Sequence, residues 1–176
     1  AAFDSTAPDP VGGVTISANG TTVTGTGEVG APVTVRGANG AVIGTATVAT
    51  DGTFSVTLNT PQLNAQLLQV TQTDAAGNSA DAVDLIAPDL TAPAALSQLA
   101  VSTDGLTLTG RGEVGATVTV LASNGVALGT ATVGGDGLFS VTLNTAQTNG
   151  QSLSVSQSDA AGNRSPIALA QAPDTD

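Results

Sequence analysis

The sequence contains no cysteine, histidine, lysine, methionine, tryptophan or tyrosine, and its only aromatic residues are Phe3, Phe54 and Phe139. Each absence closes a class of chemistry. Without His or Cys there is no Ser–His relay, no thiolate nucleophile, and no imidazole or thiolate ligand for zinc or copper. Without Lys there is no Schiff base and no phosphate-loop lysine. Paired carboxylates can cleave glycosidic bonds, but the aromatic platforms expected for a sugar are missing. Positive charge is scarce too: three Arg face twelve Asp and two Glu, for a net charge of −11. Such a surface repels nucleic acid and anionic membrane, because binding phosphate needs cationic side chains that displace counterions. No apolar run approaches 18 residues, so no segment is expected to insert into a bilayer. The N-terminus shows neither the basic nor the apolar region of a signal peptide. With no cysteine, no disulfide braces the fold, and the core must be built from Val, Leu, Ile and Ala, with one Phe per module.

What is present is repetition. Asp4-Ser5-Thr6-Ala7-Pro8 returns as Asp89-Leu90-Thr91-Ala92-Pro93, and Asp174-Thr175 begins a third copy, at a constant interval of 85 residues. Thr24-Gly25-Thr26-Gly27-Glu28-Val29-Gly30-Ala31 recurs as Thr109-Gly110-Arg111-Gly112-Glu113-Val114-Gly115-Ala116. Asp51-Gly52-Thr53-Phe54-Ser55-Val56-Thr57-Leu58 and Asp74-Ala75-Ala76-Gly77-Asn78 recur in the same register. A fixed period marks an array of like units, and this period is long enough for each unit to be a domain. The expected division is residues 1–88 (with an N-terminal linker, 1–10), 89–173, and the start of a further linker at 174–176. A longer array is expected.

Within a unit the apolar period is two: Phe54, Val56 and Leu58 alternate with Thr53, Ser55 and Thr57. Thr and Val dominate, as strands favour. Asn19-Gly20, Asn39-Gly40 and Asp51-Gly52 suit two-residue hairpin turns. Seven strands are predicted, over 13–18, 21–27, 31–37, 41–48, 53–59, 66–73 and 79–86. Inward parity switches within the fourth, from Ala41 and Ile43 to Ala46 and Val48, and Gly44 at the switch predicts a bulge or a strand changing sheets. The fold class is all-β, two tandem antiparallel sandwiches of immunoglobulin type; a small closed barrel is the alternative.

If successive loops alternate between the poles of a sandwich, Asp4, Glu28, Asp51 and Asp74 collect at the N-terminal pole, and Asp89, Glu113, Asp136 and Asp159 do so in the second unit. Clustered carboxylates repel one another without a cation. Oxygen ligands alone select Ca²⁺. The candidate ligands are Asp4, Glu28, Asp74, Asp89, Glu113 and Asp159, and an ion held by Asp89, Glu113 and Asp159 would clamp the joint. Asp51 and Asp136 come second, because an Asp-Gly turn accounts for them without metal. Asp74 has a competing role as well, since an aspartate before Ala-Ala-Gly-Asn makes an Asx-turn. Asp81, Asp84 and Asp104 lack acidic counterparts in the other unit and read as surface charge.

The motifs Thr-Gly-x-Gly-Glu-Val-Gly-Ala, Asp-Gly-x-Phe-Ser-Val-Thr-Leu and Asp-Ala-Ala-Gly-Asn, with the Asp-x-Thr-Ala-Pro joint, resemble bacterial immunoglobulin-like repeats of giant biofilm-associated and RTX-type adhesins. The resemblance covers nearly the whole chain. It implies type I secretion, display at the bacterial cell surface, many repeats in series and Ca²⁺ at their junctions, with the junction role falling on Asp4, Glu28 and Asp74, and on Asp89, Glu113 and Asp159. Arg111 and Leu90 depart from the pattern without touching a carboxylate. The implied function is a non-catalytic spacer in cell adhesion and biofilm formation. Its partners would be neighbouring repeats, other adhesin copies, or a host or matrix surface. The alternatives are a module whose loops bind a glycan or host protein, and an accessory domain of an enzyme.

Overall fold

The computed structural model describes residues 3–175; residues 1, 2 and 176 of the expected flanking linkers lie outside the described residues. The chain forms two compact units, Ala1–Leu90 and Thr91–Asp176. Module 1 carries β1 (Gly12–Ile16), β2 (Thr22–Thr26), β3 (Pro32–Arg36), β4 (Val42–Thr47), β5 (Thr53–Thr57), β6 (Leu67–Gln72) and β7 (Val83–Ile86). Module 2 repeats them as β8 (Ser97–Val101), β9 (Thr107–Arg111), β10 (Thr117–Leu121), β11 (Ala127–Thr132), β12 (Leu138–Thr142), β13 (Ser152–Ser158) and β14 (Ala168–Gln171).

Every pairing is antiparallel. Each module has a three-stranded sheet, β1-β2-β5 or β8-β9-β12, and a four-stranded sheet, β4-β3-β6-β7 or β11-β10-β13-β14. All seven predicted strands form. The last begins at Val83 rather than four residues earlier. Residues 79–80 are pinned by the isolated bridge Thr73↔Ser79 and by the bond from Ala80 N to Gln72 O, and regular pairing starts only at Val70↔Val83.

Alternation builds the core. In module 1, Val23, Phe54 and Val56 of the smaller sheet meet Val33, Val35, Leu68 and Val70 of the larger, all buried. In module 2 the same layer is Leu108, Phe139 and Val141 against Val118, Val120, Leu153 and Val155. At about 1.5–3 kcal/mol for each fully buried aliphatic or Phe side chain, this layer is the main stabilising term in a fold with no disulfide.

The fourth strand carries the predicted bulge, with one predicted inward residue displaced. The β3–β4 register runs Val35↔Gly44 and then Arg36↔Val42, so Ile43 is bulged out, and its carbonyl instead accepts Asn59 N from the chain leaving β5 (2.8 Å). β4 thus ties the two sheets together at one end. Ile43 and Ala46 pack against the core and Val48 is buried, whereas Ala41, expected inward, is exposed. Module 2 repeats the bulge at Leu128, whose carbonyl accepts Asn144 N (2.9 Å).

The turns differ from expectation. At Asn19-Gly20 only the glycine has positive φ, at 65°. Ser17 N bonds to Thr22 O, and Gly20 N bonds to Ser17 O, which closes a four-residue loop around a type I turn rather than a two-residue one. The Asn19 Oδ1 accepts the Thr21 N–H and hydroxyl, and these bonds favour the longer loop.

Candidate functional site

The two ends of each sandwich are distinct. At the entry pole of module 1 the incoming segment meets the loops after β2, β4 and β6: Gly27 N bonds to Gly52 O, and Asn78 and Gln72 both reach residues that precede β1. At the exit pole the β1–β2 turn meets the β5–β6 loop through Gln62 N and Gly20 O (2.9 Å). There the outgoing chain is stitched to that loop by Ala87 N to Gln66 O, Leu90 N to Leu63 O and the bridge Asn64↔Asp89. Module 2 repeats the exit stitching with Ala172 N to Gln151 O, Thr175 N to Thr148 O and Asn149↔Asp174. The chain therefore enters each module at one end and leaves at the other. The loops bearing Glu28, Asp51 and Asp74 do collect at the entry pole.

The Thr-Gly-x-Gly motif is a set of spatial vacancies. A Cβ on Gly25 would stand 2.7 Å from the Phe54 ring, and one on Gly110 2.7 Å from Phe139, so the first glycine seats the single core aromatic. A Cβ on Gly27 or Gly112 would stand 2.4 or 2.5 Å from the side-chain oxygen of Gln72 or Gln157. Each of those glutamines is 2% exposed. The Gln72 Oε1 accepts Glu28 N (2.9 Å) while its Nε2 donates to Asp9 O. The Gln157 Oε1 accepts Glu113 N (2.9 Å) and its Nε2 donates to Ala94 O (2.8 Å). Sequence reasoning passed over both. The available signal was a polar residue in an inward-facing place (Leu68, Val70, Gln72; Leu153, Val155, Gln157), recurring at the repeat interval.

The Asp-Ala-Ala-Gly-Asn loop is a closed turn. Asp74 Oδ1 accepts Ala76 N and Asn78 N, both at 2.8 Å, and Oδ2 accepts the Asn78 Nδ2 at 2.7 Å. The same Nδ2 donates to the Asp4 and Thr6 carbonyls at 3.2 and 3.3 Å. One amide nitrogen therefore draws together three oxygens and ties the incoming segment to the turn. Asp159 makes the matching bonds to Asn163 N and Nδ2, both 2.9 Å. The Asn78 or Asn163 side-chain amide is the largest influence and holds the Asp74 and Asp159 carboxyls below the ordinary aspartate value; desolvation, next in size, opposes it, and main-chain N–H groups reinforce it. Asp51 is lowered by the Thr53 main-chain N–H and then its hydroxyl. Asp136 accepts Leu138 N (3.0 Å) in the corresponding turn. Asp4 Oδ1 accepts Thr6 N (3.0 Å). The side chains of Glu28 and Glu113 are exposed; the bonds to Gln72 and Gln157 use their main-chain N–H. Asp104 also has a turn to hold, accepting the Ser102 hydroxyl and Leu106 N.

The donor set suits a hard cation, being carboxylate and carbonyl oxygen throughout. Yet among the described residues no group of three or more acidic side chains is assembled so as to hold a metal ion. Asp4 and Asp74 are brought to one amide, but through the Asp4 carbonyl, and Asp74 already accepts three hydrogen bonds of the roughly four a carboxylate can take.

The open grooves offer no better site. One, of about 640 Å³, runs past Gln98, Thr109, Leu138 and Phe139. Its counterpart of about 540 Å³ passes Gly13, Thr24, Thr53 and Phe54, the positions 85 residues earlier. A groove repeated at the same place in both modules belongs to the fold. No helix among the described residues is long and apolar enough to cross a membrane.

Two seven-stranded sandwiches in series, each with its chain ends at opposite poles, define a tandem immunoglobulin-like protein. Residues 7–89 and 92–174 each match the bacterial Ig domain family, and the chain belongs to that family. No curated protein matches. Among solved structures, the chain is similar to a "Biofilm associated protein - BSP domain" at 26% identity and a TM-score of 0.42, covering 96% of this chain and 29% of that one. It is also similar to a two-domain fibronectin type III segment of chicken tenascin, at 10% identity and a TM-score of 0.38, covering 94% of this chain and 99% of that one. The chain thus spans less than a third of the biofilm-associated protein it matches.

Proposed function

We propose that the two modules are non-catalytic spacer repeats of a bacterial cell-surface adhesin, exported by type I secretion and supporting attachment and biofilm formation. The observation that carries this reading is the stitching of both chain ends. Each module fixes the chain it receives at one pole and the chain it passes on at the other, which is what a spacer must do. Surfaces suited to catalysis or to a specific ligand have no chemical basis in the composition: no His, Cys or Lys, and no exposed aromatic apart from Phe3.

Calcium at the joints belongs to the same proposal. Supporting it are the oxygen-only donors and the collection of the loops bearing Glu28, Asp51 and Asp74 at one pole. The missing three-acid group limits its strength: an ion would use one or two carboxylates, such as Asp4 with Glu28, completed by carbonyls and water. Such a site would fall in the weak range of extracellular calcium modules, on the order of 10⁻⁴–10⁻³ M.

The test is made in cells producing the parent adhesin. Deleting both modules should reduce attachment, and replacing them with an unrelated pair of sandwiches of equal length should restore it. Failure of the replacement, together with binding of the purified modules to a glycan or host protein, would favour the adhesive-module reading.

A further inference from the structure

The paired glutamines do something that neither the spacer reading nor calcium requires. Each joins three pieces of chain: the segment entering the module (Asp9 or Ala94), the loop leaving β2 or β9 (Glu28 or Glu113), and its own strand, β6 or β13. These pieces differ in how well they are held. β1 is an edge strand joined to β2 by three register pairs, Gly12↔Thr26, Thr15↔Thr24 and Ile16↔Val23, with a bulge between the first two. β8 is attached to β9 in the same way, by Ser97↔Arg111, Ala100↔Thr109 and Val101↔Leu108. By contrast β6 lies between β3 and β7, and β13 between β10 and β14, each paired on both sides.

Tension arriving along the incoming segment reaches Asp9 or Ala94 before it reaches β1 or β8. We propose that Gln72 and Gln157 are mechanical clasps, which pass tension from the entering chain into the doubly paired strand of the larger sheet and so keep the weakly held first strand from peeling away. The purpose rests on the spacer reading; the clasp is a property of each module alone. Its burial favours the role, because hydrogen bonds shielded from water are not readily exchanged for bonds to solvent. The vacancy at Gly27 and Gly112 keeps the amide's place open in both copies.

The experiment is single-molecule pulling of the 176-residue chain between handles, in chelator, so that the outcome is independent of calcium. The parent modules should each unfold in one step. Gln72→Leu and Gln157→Leu substitute an apolar side chain of similar size that cannot bond to either partner. Each should add an earlier step at lower force, lengthening the chain by on the order of 20–30 Å as the entering segment and first strand come free. Gly27→Ala tests the clasp from the other side, since the added methyl displaces the flexible end of Gln72. It should give the same early step and at least a tenfold faster amide exchange at Glu28, which serves as the deciding readout if a Leu variant does not fold. Single-step unfolding at the parent force, with unchanged Glu28 exchange, would overturn the proposal. The attachment test in cells is unaffected by either result.

Discussion

Asp74 commits three of its roughly four hydrogen-bonding places to its own turn, and Asp159 two. The sign of the resulting pH dependence follows from their lowered pKa. A carboxyl whose folded value is depressed contributes stability that is fully present above the ordinary aspartate value near 3.8 and is lost as pH falls through the folded value. Thermal midpoints should therefore be flat near neutrality and drop below pH 4, and Asp159→Ala should flatten that acid limb for module 2. An unchanged limb would mean that the turn bonds do not stabilise the fold. The buried glutamines act with greater weight. Gln157→Ala removes two shielded bonds and strands Glu113 N and Ala94 O, which should cost about 2–4 kcal/mol in urea denaturation. These roles were unevenly legible. The acids could be read because their motifs repeat, yet composition could not say whether an aspartate serves a turn or an ion. Gln72 and Gln157 were hidden by an apolar alternation that makes a buried amide look like one more strand residue.

The strands were the most legible part, because one face is buried and the side-chain period is two. The bulge in β4 was visible as a parity switch around Gly44. What pattern could not give is where the bulged carbonyl goes, since its partner, Asn59, belongs to a different sheet's strand end. The late start of β7 was hidden for a related reason: the Asp74 turn delivers Ser79 and Ala80 into isolated bonds before the ladder resumes. The bulge depends on close approach between sheets. A Cβ on Gly129 would lie 2.5 Å from the Thr142 carbonyl and 2.8 Å from Val141 Cγ1, and the backbone atom cannot swing aside. Gly129→Ala should cost about 2–3 kcal/mol in the same denaturation assay, against a few tenths for alanine at Gly135, where a Cβ meets nothing. Equal effects at the two sites would show that β11 does not need the close approach.

At the scale of the whole molecule, two modules with separate cores and stitched chain ends leave one property to be set by the joint: how freely each module turns against the next. We propose that calcium restricts that freedom. Small-angle scattering of the two-module protein, in millimolar Ca²⁺ and again in excess chelator, measures it most directly. The account predicts a longer and narrower distribution of intramolecular distances with calcium, relaxing in chelator, and a smaller change in Asp89→Ala. Superimposable curves in the two conditions would contradict it.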